Sequence, residues 1–178
     1  RPKHSAEPRT LWPAASSYLL SFSRSLHEAM AVSKIITGLF QKKILYENSP
    51  DKINFKLAHS WLKETYWCKG ISLEKVEKGF RESTTVVSAH SGNRMVGIAR
   101  CVSDTTRFGY IADVYVEESA RGKGIARAMV RNLISQSSLR DVEHWYLFTK
   151  DAHGVYRDIG FRTYDKPERL MHLAATKK

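Results

Sequence analysis

The chain has 178 residues, with 29 lysines and arginines against 18 aspartates and glutamates, a formal net charge of +11. At 42% hydrophobic and 26% charged residues it has a globular composition, which excludes disordered and fibrous classes. No run approaches the ~18 apolar residues of a membrane span. The positive charge favours anionic partners, whether nucleic acid, acidic lipid or a phosphorylated small molecule. Two cysteines, Cys68 and Cys101, exclude a disulfide scaffold and favour a reducing, cytoplasmic compartment.

The N-terminal segment differs in composition from the rest of the chain. Residues 1–30 hold clustered serines and several basic residues, and their only acids are Glu7 and Glu28. Such a composition is typical of an organellar transit peptide, but a disordered extension or sequence upstream of a start at Met30 would also account for it. We therefore predict an N-terminal extension over residues 1–41 and one domain over residues 42–178. Import into an organelle is the alternative to a cytoplasmic location.

From residue 42 onward the hydrophobic pattern predicts alternating strands and helices. Ile53, Leu57 and Trp61 recur every four residues and predict one helix, and Ser72 is placed to cap a second one carrying Phe80. The remaining segments are predicted as strands at 43–47, 84–89, 95–101, 108–116, 144–149, 161–164 and 170–174, and as helices at 122–137 and 152–159. The order β-α-α-β-β-β-α-β-α-β-β predicts an α/β fold with a central mixed sheet flanked by helices.

One segment carries a pattern typical of anion binding. A strand runs through a short loop directly into a helix whose start holds Gly122 and Gly124. Glycines let a ligand approach the backbone, and the free N–H groups of a helix start attract an anion. Arg121 and Lys123 add formal positive charge at the same place. The segment therefore predicts a phosphate or pyrophosphate site.

Two common phosphate motifs do not fit this segment. A P-loop would place Ser or Thr where Ile125 stands, and a dinucleotide-binding fingerprint would place a third glycine where Arg127 stands. A glycine-containing helix start with solvated basic side chains remains the alternative at this point.

The stretch Arg121-Gly122-Lys123-Gly124-Ile125-Ala126 resembles the Gln/Arg-x-x-Gly-x-Gly/Ala signature of the GNAT acetyltransferase superfamily. Downstream, Tyr156-x-x-x-Gly160-Phe161 is similar to the segment that closes GNAT domains. The sequence from Thr149 to Tyr156 also resembles that of a subgroup of uncharacterised GNAT proteins. The resemblance covers residues 42–174 and implies the GNAT fold and acetyl-CoA-dependent N-acetyl transfer to a primary amine.

The same resemblance implies which residues hold the donor, acetyl-CoA. The backbone at the end of the fourth strand would bind the pantetheine arm, as an added strand would. The N–H groups at the helix start would bind the pyrophosphate, with basic side chains on either side. The implied donor-binding residues are Val114, Tyr115, Val116, Arg121, Gly122, Lys123, Gly124, Ile125, Ala126 and Arg127.

The resemblance also implies two catalytic residues, a general acid and a residue beside the donor-binding strand. Tyr156 lies at the family's position for the general acid that protonates the departing sulfur. Asp113 would lie on the face of its strand that holds Tyr115, as either a general base or a structural hydrogen-bond acceptor. His153 is a second candidate base, although we expect it to orient or pack, and Asp151 to cap the helix that follows.

The acceptor pocket is predicted beside Tyr66 and Trp67, which either grip the amine or fix their loop to the sheet. The histidines lack ligand spacing, so no metal site is predicted. A monomer or homodimer without membrane association is expected, and nucleic-acid binding ranks last. The alternative function is a non-catalytic acyl-CoA-binding regulatory module.

Overall fold

The computed structural model describes residues 43–174, so the predicted extension over residues 1–41 and its leader lie outside the described residues. Within that range, no helix is long and apolar enough to cross a membrane. The strands are β1 (Ile44–Glu47), β2 (Thr85–Ser91), β3 (Arg94–Ser103), β4 (Phe108–Val116) and β5 (His144–Tyr146). The α-helices are α1 (Phe55–Leu62), α2 (Leu73–Arg81), α3 (Ile125–Ile134) and α4 (His153–Arg157).

The five strands form one mixed sheet in the order β1-β2-β3-β4-β5. The first four pair antiparallel, with α1 and α2 between β1 and β2 and short turns between β2, β3 and β4, and β5 joins β4 in parallel after the α3 crossover. A parallel neighbour needs such a crossover, because its chain must return to the starting end of the sheet. The predicted α/β class, with its mixed sheet flanked by helices, is confirmed.

Two hydrophobic layers sandwich the sheet. On one face α3 buries Met129, Val130 and Leu133 against β2, β3 and β4. On the other face α1 and α2 bury Trp61 and Phe80. Helices α1 and α2 begin where the Asn54 and Ser72 side chains accept hydrogen bonds from backbone amides, as the Ser72 prediction required.

The two predicted closing strands, 161–164 and 170–174, do not form, so the sheet has five strands rather than seven. Leu170, Met171 and Leu173 are apolar but 58%, 93% and 94% exposed, so their side chains are not buried against the sheet. The strand predicted over 144–149 is shorter in the structure, because β5 pairs with β4 only as far as Tyr146. An apolar run alone does not supply a strand with a hydrogen-bonded neighbour.

Candidate functional site: a parted sheet beside a helix start

Strands β4 and β5 part after three paired residues. Their register joins Phe108 to His144, Gly109 to Trp145 and Tyr110 to Tyr146, and then stops. Strand β4 continues to Val116 with β3 on its other side. From residue 111 onward its β5-facing edge therefore has no strand partner among the described residues. Such an edge can accept an extended ligand as an added strand.

A bulge interrupts β4 where it parts from β5. The register with β3 passes from Arg100↔Ala112 to Ile98↔Tyr115, so Asp113 and Val114 together face a single residue of β3. Asp113 has φ +51°, a conformation that few residues other than glycine adopt. Bulges bend a strand and re-aim its side chains, and they are common beside active sites. This bulge gives the Asp113 side chain a fixed direction towards α1 and α2.

The segment predicted to bind an anion has the conformation of a left-handed turn at the start of α3. Gly122 and Gly124 have φ values of +75° and +74°, and no heavy atom lies within 4 Å of the position of a Cβ on either residue. These dihedrals also explain why the helix begins at Ile125 rather than at the predicted Gly122. No side chain caps α3, and the first turn's amides before Ala128 have no partner inside the helix. The turn can therefore donate several N–H groups to one anion.

The basic side chains at this turn are held by protein groups. Arg121 donates from Nε to the Val116 carbonyl at 3.0 Å, and its guanidinium lies 5.6 Å from the Tyr115 ring centre. Lys123 donates from Nζ to the Ser119 carbonyl at 3.3 Å. Arg127 forms an ion pair with Asp158 beyond α4. The formal positive charge predicted at the turn is present, with each cation already engaged.

An open groove of about 580 Å³ begins at the same turn and follows α3. Arg127 and Arg131 supply the charged groups of its lining, which also includes Gly124 and Tyr46 of β1. The groove thus borders the helix start, and Tyr156 is not among the residues that line it.

Tyr156 lies on α4 and packs partly buried against the α3 side of the sheet, 6.1 Å from the Phe161 ring. Burial raises the pKa of Tyr156 to about 12, and the neighbouring Tyr66, Asp151 and Tyr110 add to the rise. Its phenol therefore stays protonated at neutral pH, the state a general acid needs.

Asp113 is held by two partners rather than open to solvent. Arg100 donates from Nε to one carboxylate oxygen at 2.6 Å, and the Cys68 thiol donates to the other at 3.4 Å. Burial, together with Asp113, raises the pKa of Cys68 to about 12, so this thiol stays protonated. Both carboxylate oxygens thus have donors, an arrangement that favours the structural-acceptor alternative over a general base.

Tyr66 and Trp67 lie in the loop between α1 and α2, with ring centres 4.9 Å apart and their planes nearly perpendicular. Tyr66 accepts a hydrogen bond at its hydroxyl from the Lys150 backbone amide at 2.9 Å. Phe148, 68% exposed, packs 5.8 Å from the Tyr110 ring. The loop therefore reaches the chain that follows β5, and exposed aromatic rings border the parted strands.

Sequence reasoning missed three contributors, which are Arg100, Lys150 and Asp158. Their partners are 13 to 84 residues away along the chain, beyond the reach of any local pattern. The prediction that Asp151 caps α4 is wrong, because α4 has no side-chain cap and Thr149 instead accepts a hydrogen bond from the Ala152 amide. His153 is exposed at the first residue of α4. In residues 43–174 no group of three His, Cys, Asp or Glu side chains is placed to hold a metal ion.

The site combines the open edge of β4 with an uncapped, glycine-containing helix start. The family model described as acetyltransferase (GNAT) family matches residues 49–161, which is more than half of the chain. The chain therefore belongs to the GNAT acetyltransferase family, and the predicted resemblance is confirmed.

Solved structures share this fold. A GNAT-family protein from Xanthomonas campestris pv. campestris superposes with a TM-score of 0.70 at 28% identity, covering 75% of this chain and 94% of its own. A protein from Clostridium acetobutylicum, solved with acetyl-CoA, superposes with a TM-score of 0.58 at 21% identity, covering 74% of this chain and 96% of its own. The second likeness concerns the fold alone.

Two soybean proteins are similar over part of the sequence. They are named histone acetyltransferase TAP1 and probable acetyltransferase TAP2, each 33% identical over 102 residues. The match covers 50% of this chain, 44% of the first relative and 41% of the second. The chain thus spans less than half the length of these relatives.

Proposed function

We propose that this acetyltransferase moves an acetyl group from acetyl-CoA to the primary amine of a small molecule or a protein. The observation that carries the proposal is the edge of β4 without a strand partner, followed after five residues by the left-handed turn at Gly122 and Gly124. An extended amide-containing arm and a pyrophosphate are joined in this order in CoA. The edge and the turn offer their complements in the same order.

The donor would bind mainly through backbone groups. The β5-facing edge over Val114–Val116 would hold the amides of the pantetheine arm as an added strand. The amides of residues 122–126 would donate to the pyrophosphate, and the helix start adds its partial positive charge. The open space beside both glycines leaves room for phosphate oxygens. Side chains on β4 remain free to pack in the core, as Val116 does.

Tyr156 would act as the general acid. A neutral amine attacks the thioester carbonyl carbon, the new C–N bond forms, and the C–S bond breaks. The acceptor nitrogen loses two protons to water, one when the ammonium becomes the attacking amine and one as the amide forms. The departing sulfur takes the phenol proton of Tyr156, and the phenolate regains a proton from solvent. The Tyr156 phenol, with its pKa at about 12, is protonated at neutral pH and can give its proton to sulfur as negative charge develops there.

Asp113 would position the β4 strand rather than abstract a proton from the acceptor. Its ion pair with Arg100 fixes the bulge from which β4 continues to the donor-binding edge. Base action by Asp113 would require it to leave the Arg100 guanidinium during turnover. Water as the proton acceptor requires no such movement.

The acceptor would enter beside Tyr66 and Trp67. Both rings are about half exposed, so they can cover an alkyl or aryl arm of the amine. One relative carries the name histone acetyltransferase, which makes a protein lysine one form of acceptor to test. Both described cysteines are free thiols, in keeping with the reducing, cytoplasmic compartment that we propose.

The test is release of CoA thiol from acetyl-CoA with a panel of small primary amines and a histone-tail peptide. We expect amine-dependent release that falls by about 10²–10⁴-fold in Tyr156→Phe. Tyr164→Phe is the matched control, because it removes a hydroxyl from a half-exposed tyrosine outside the proposed site. CoA binding without release for any amine would instead favour a non-catalytic acyl-CoA-binding module.

A further inference from the structure

Among the basic residues described at the start of α3, Arg127 is held by a distant segment, through the side chain of Asp158. Arg127 lies in the first turn of α3, and its Nη1 donates to a carboxylate oxygen of Asp158 at the end of α4. Arg121 and Lys123 instead bond within their own segment: both donate to backbone carbonyl oxygens, five and four residues away, and Arg121 also pairs with the nearby Glu118 carboxylate at 3.5 Å. Arg127, which lies within the helix, is thus paired with a carboxylate from another segment.

This ion pair is not what holds α4 against α3. Arg131, one turn further along α3, donates from Nη2 to the Asp158 backbone carbonyl at 3.0 Å. That bond uses no charge on Asp158 and would survive loss of the carboxylate. The side-chain pair is also about half exposed on both sides, so its own contribution to stability is small. The carboxylate is therefore dispensable for the fold.

Arg127 also lines the groove that begins at Gly124. A long, flexible arginine at this position can swing from Asp158 towards a phosphate at the helix start, where a phosphate and a carboxylate offer similar oxygen acceptors. The two anions would compete for one guanidinium.

We propose that Asp158 competes with the donor phosphates for Arg127: it holds Arg127 in the free protein and thereby weakens CoA binding. This inference rests on the proposed function, since it concerns the same donor site. It assigns to Asp158 control over donor affinity, with no contact to the reacting atoms.

The experiment measures CoA affinity by titration calorimetry on the full chain, for the wild type and for Asp158→Asn. We expect binding to become about two- to fivefold tighter, the range set by freeing one exposed cation. Asp141→Asn is the matched control: it also neutralises an exposed aspartate paired with an arginine, at 3.6 Å from Arg140, and should leave affinity unchanged. The gain should shrink at high salt, because exposed charges are screened.

A double-mutant comparison isolates Arg127. In an Arg127→Ala background, Asp158→Asn should no longer tighten binding, because the guanidinium to be freed is absent. Equal or weaker binding by Asp158→Asn, an equal gain in Asp141→Asn, or a gain that persists without Arg127 would each overturn the proposal. Absence of CoA binding by wild type and variants alike would overturn the proposed function itself, and this proposal with it.

Discussion

The Tyr66 hydroxyl and the Lys150 backbone amide are joined by a 2.9 Å hydrogen bond across 84 residues of sequence. The Lys150 ammonium lies 5.8 Å from the centre of the same ring. The loop between α1 and α2 is thus tied to the chain after β5, on the far side of the gap between β4 and β5. This contact therefore links two segments that border the proposed acceptor entrance.

Tyr66→Phe should loosen this connection without unfolding the protein. The hydrogen bond lies at an exposed position, so the free energy of unfolding should fall by less than about 1 kcal/mol. We expect KM for the amine to rise several-fold while KM for acetyl-CoA stays constant, measured by steady-state kinetics. Tyr164→Phe is the control for loss of an exposed hydroxyl. A change confined to the donor KM would place Tyr66 away from the acceptor path.

Local patterns were sufficient to predict most of the scaffold. The four-residue spacing in α1, the Ser72 cap and the β-branched strands each depend on neighbours within a few residues. The turn before α3 is equally local, because Gly122 and Gly124 set its dihedrals themselves. These features follow from intrinsic preferences of short segments.

The remaining features depend on contacts that no short segment encodes. Asp113 adopts a positive φ, which aspartate tolerates better than most residues, and its side chain is bound by Arg100 and Cys68, 13 and 45 residues away. The absent closing strands illustrate the opposite case, where an apolar run finds no neighbour to pair with. Tertiary partners decide both outcomes, and sequence separation hides them.

Asp113→Asn tests whether this carboxylate positions or abstracts. The variant leaves the Arg100 guanidinium, only 22% exposed, without its counter-charge. We expect the free energy of unfolding to fall by about 2–4 kcal/mol, measured by denaturant titration. Asp141→Asn, which removes an exposed charge, should change it by less than about 0.5 kcal/mol.

The pH dependence of the same variant separates the two roles. If Asp113 positions, kcat falls but the shape of the pH–rate profile stays that of the wild type. Loss of the rising limb in Asp113→Asn, with normal stability, would identify it as the base.

Gly124→Glu tests the donor site. The substitution places a negative charge where the pyrophosphate is proposed to bind, and the backbone at φ +74° adds about 1–2 kcal/mol of strain for any side chain. We expect CoA binding to be lost in calorimetry. Gly124→Gln has the same size and strain without the charge, so it should retain more affinity. Equal affinity in both variants and the wild type would contradict a phosphate site at this turn.

The Tyr156 phenol should titrate later than an ordinary tyrosine. Its pKa is raised from 10.0 to about 12, so the folded protein keeps this proton while the unfolded chain loses it near pH 10. The stability contributed by its burial is therefore fully present below about pH 10 and is lost as pH rises towards 12. Phenolate absorbance in a pH titration checks this, with Tyr156→Phe lacking the late step. A Tyr156 transition near pH 10 would contradict the burial.

The last prediction concerns the charge of the acceptor. The chain carries a formal net charge of +11, and Lys150 lies beside the Tyr66 ring at the proposed acceptor entrance. Like charges slow encounter, so a monoamine, an amino acid or a protein amine should be preferred over a spermidine-like polyamine. Alkyl ammonium groups have a pKa near 10.4, so rates should climb from about pH 6 to 9 as the neutral amine becomes more abundant. Kinetics with a monoamine and spermidine check this, and Lys150→Gln should narrow the difference between them by removing one cation from the entrance. Efficient turnover of spermidine with monoamines inert would show that the charge of the chain does not select the acceptor.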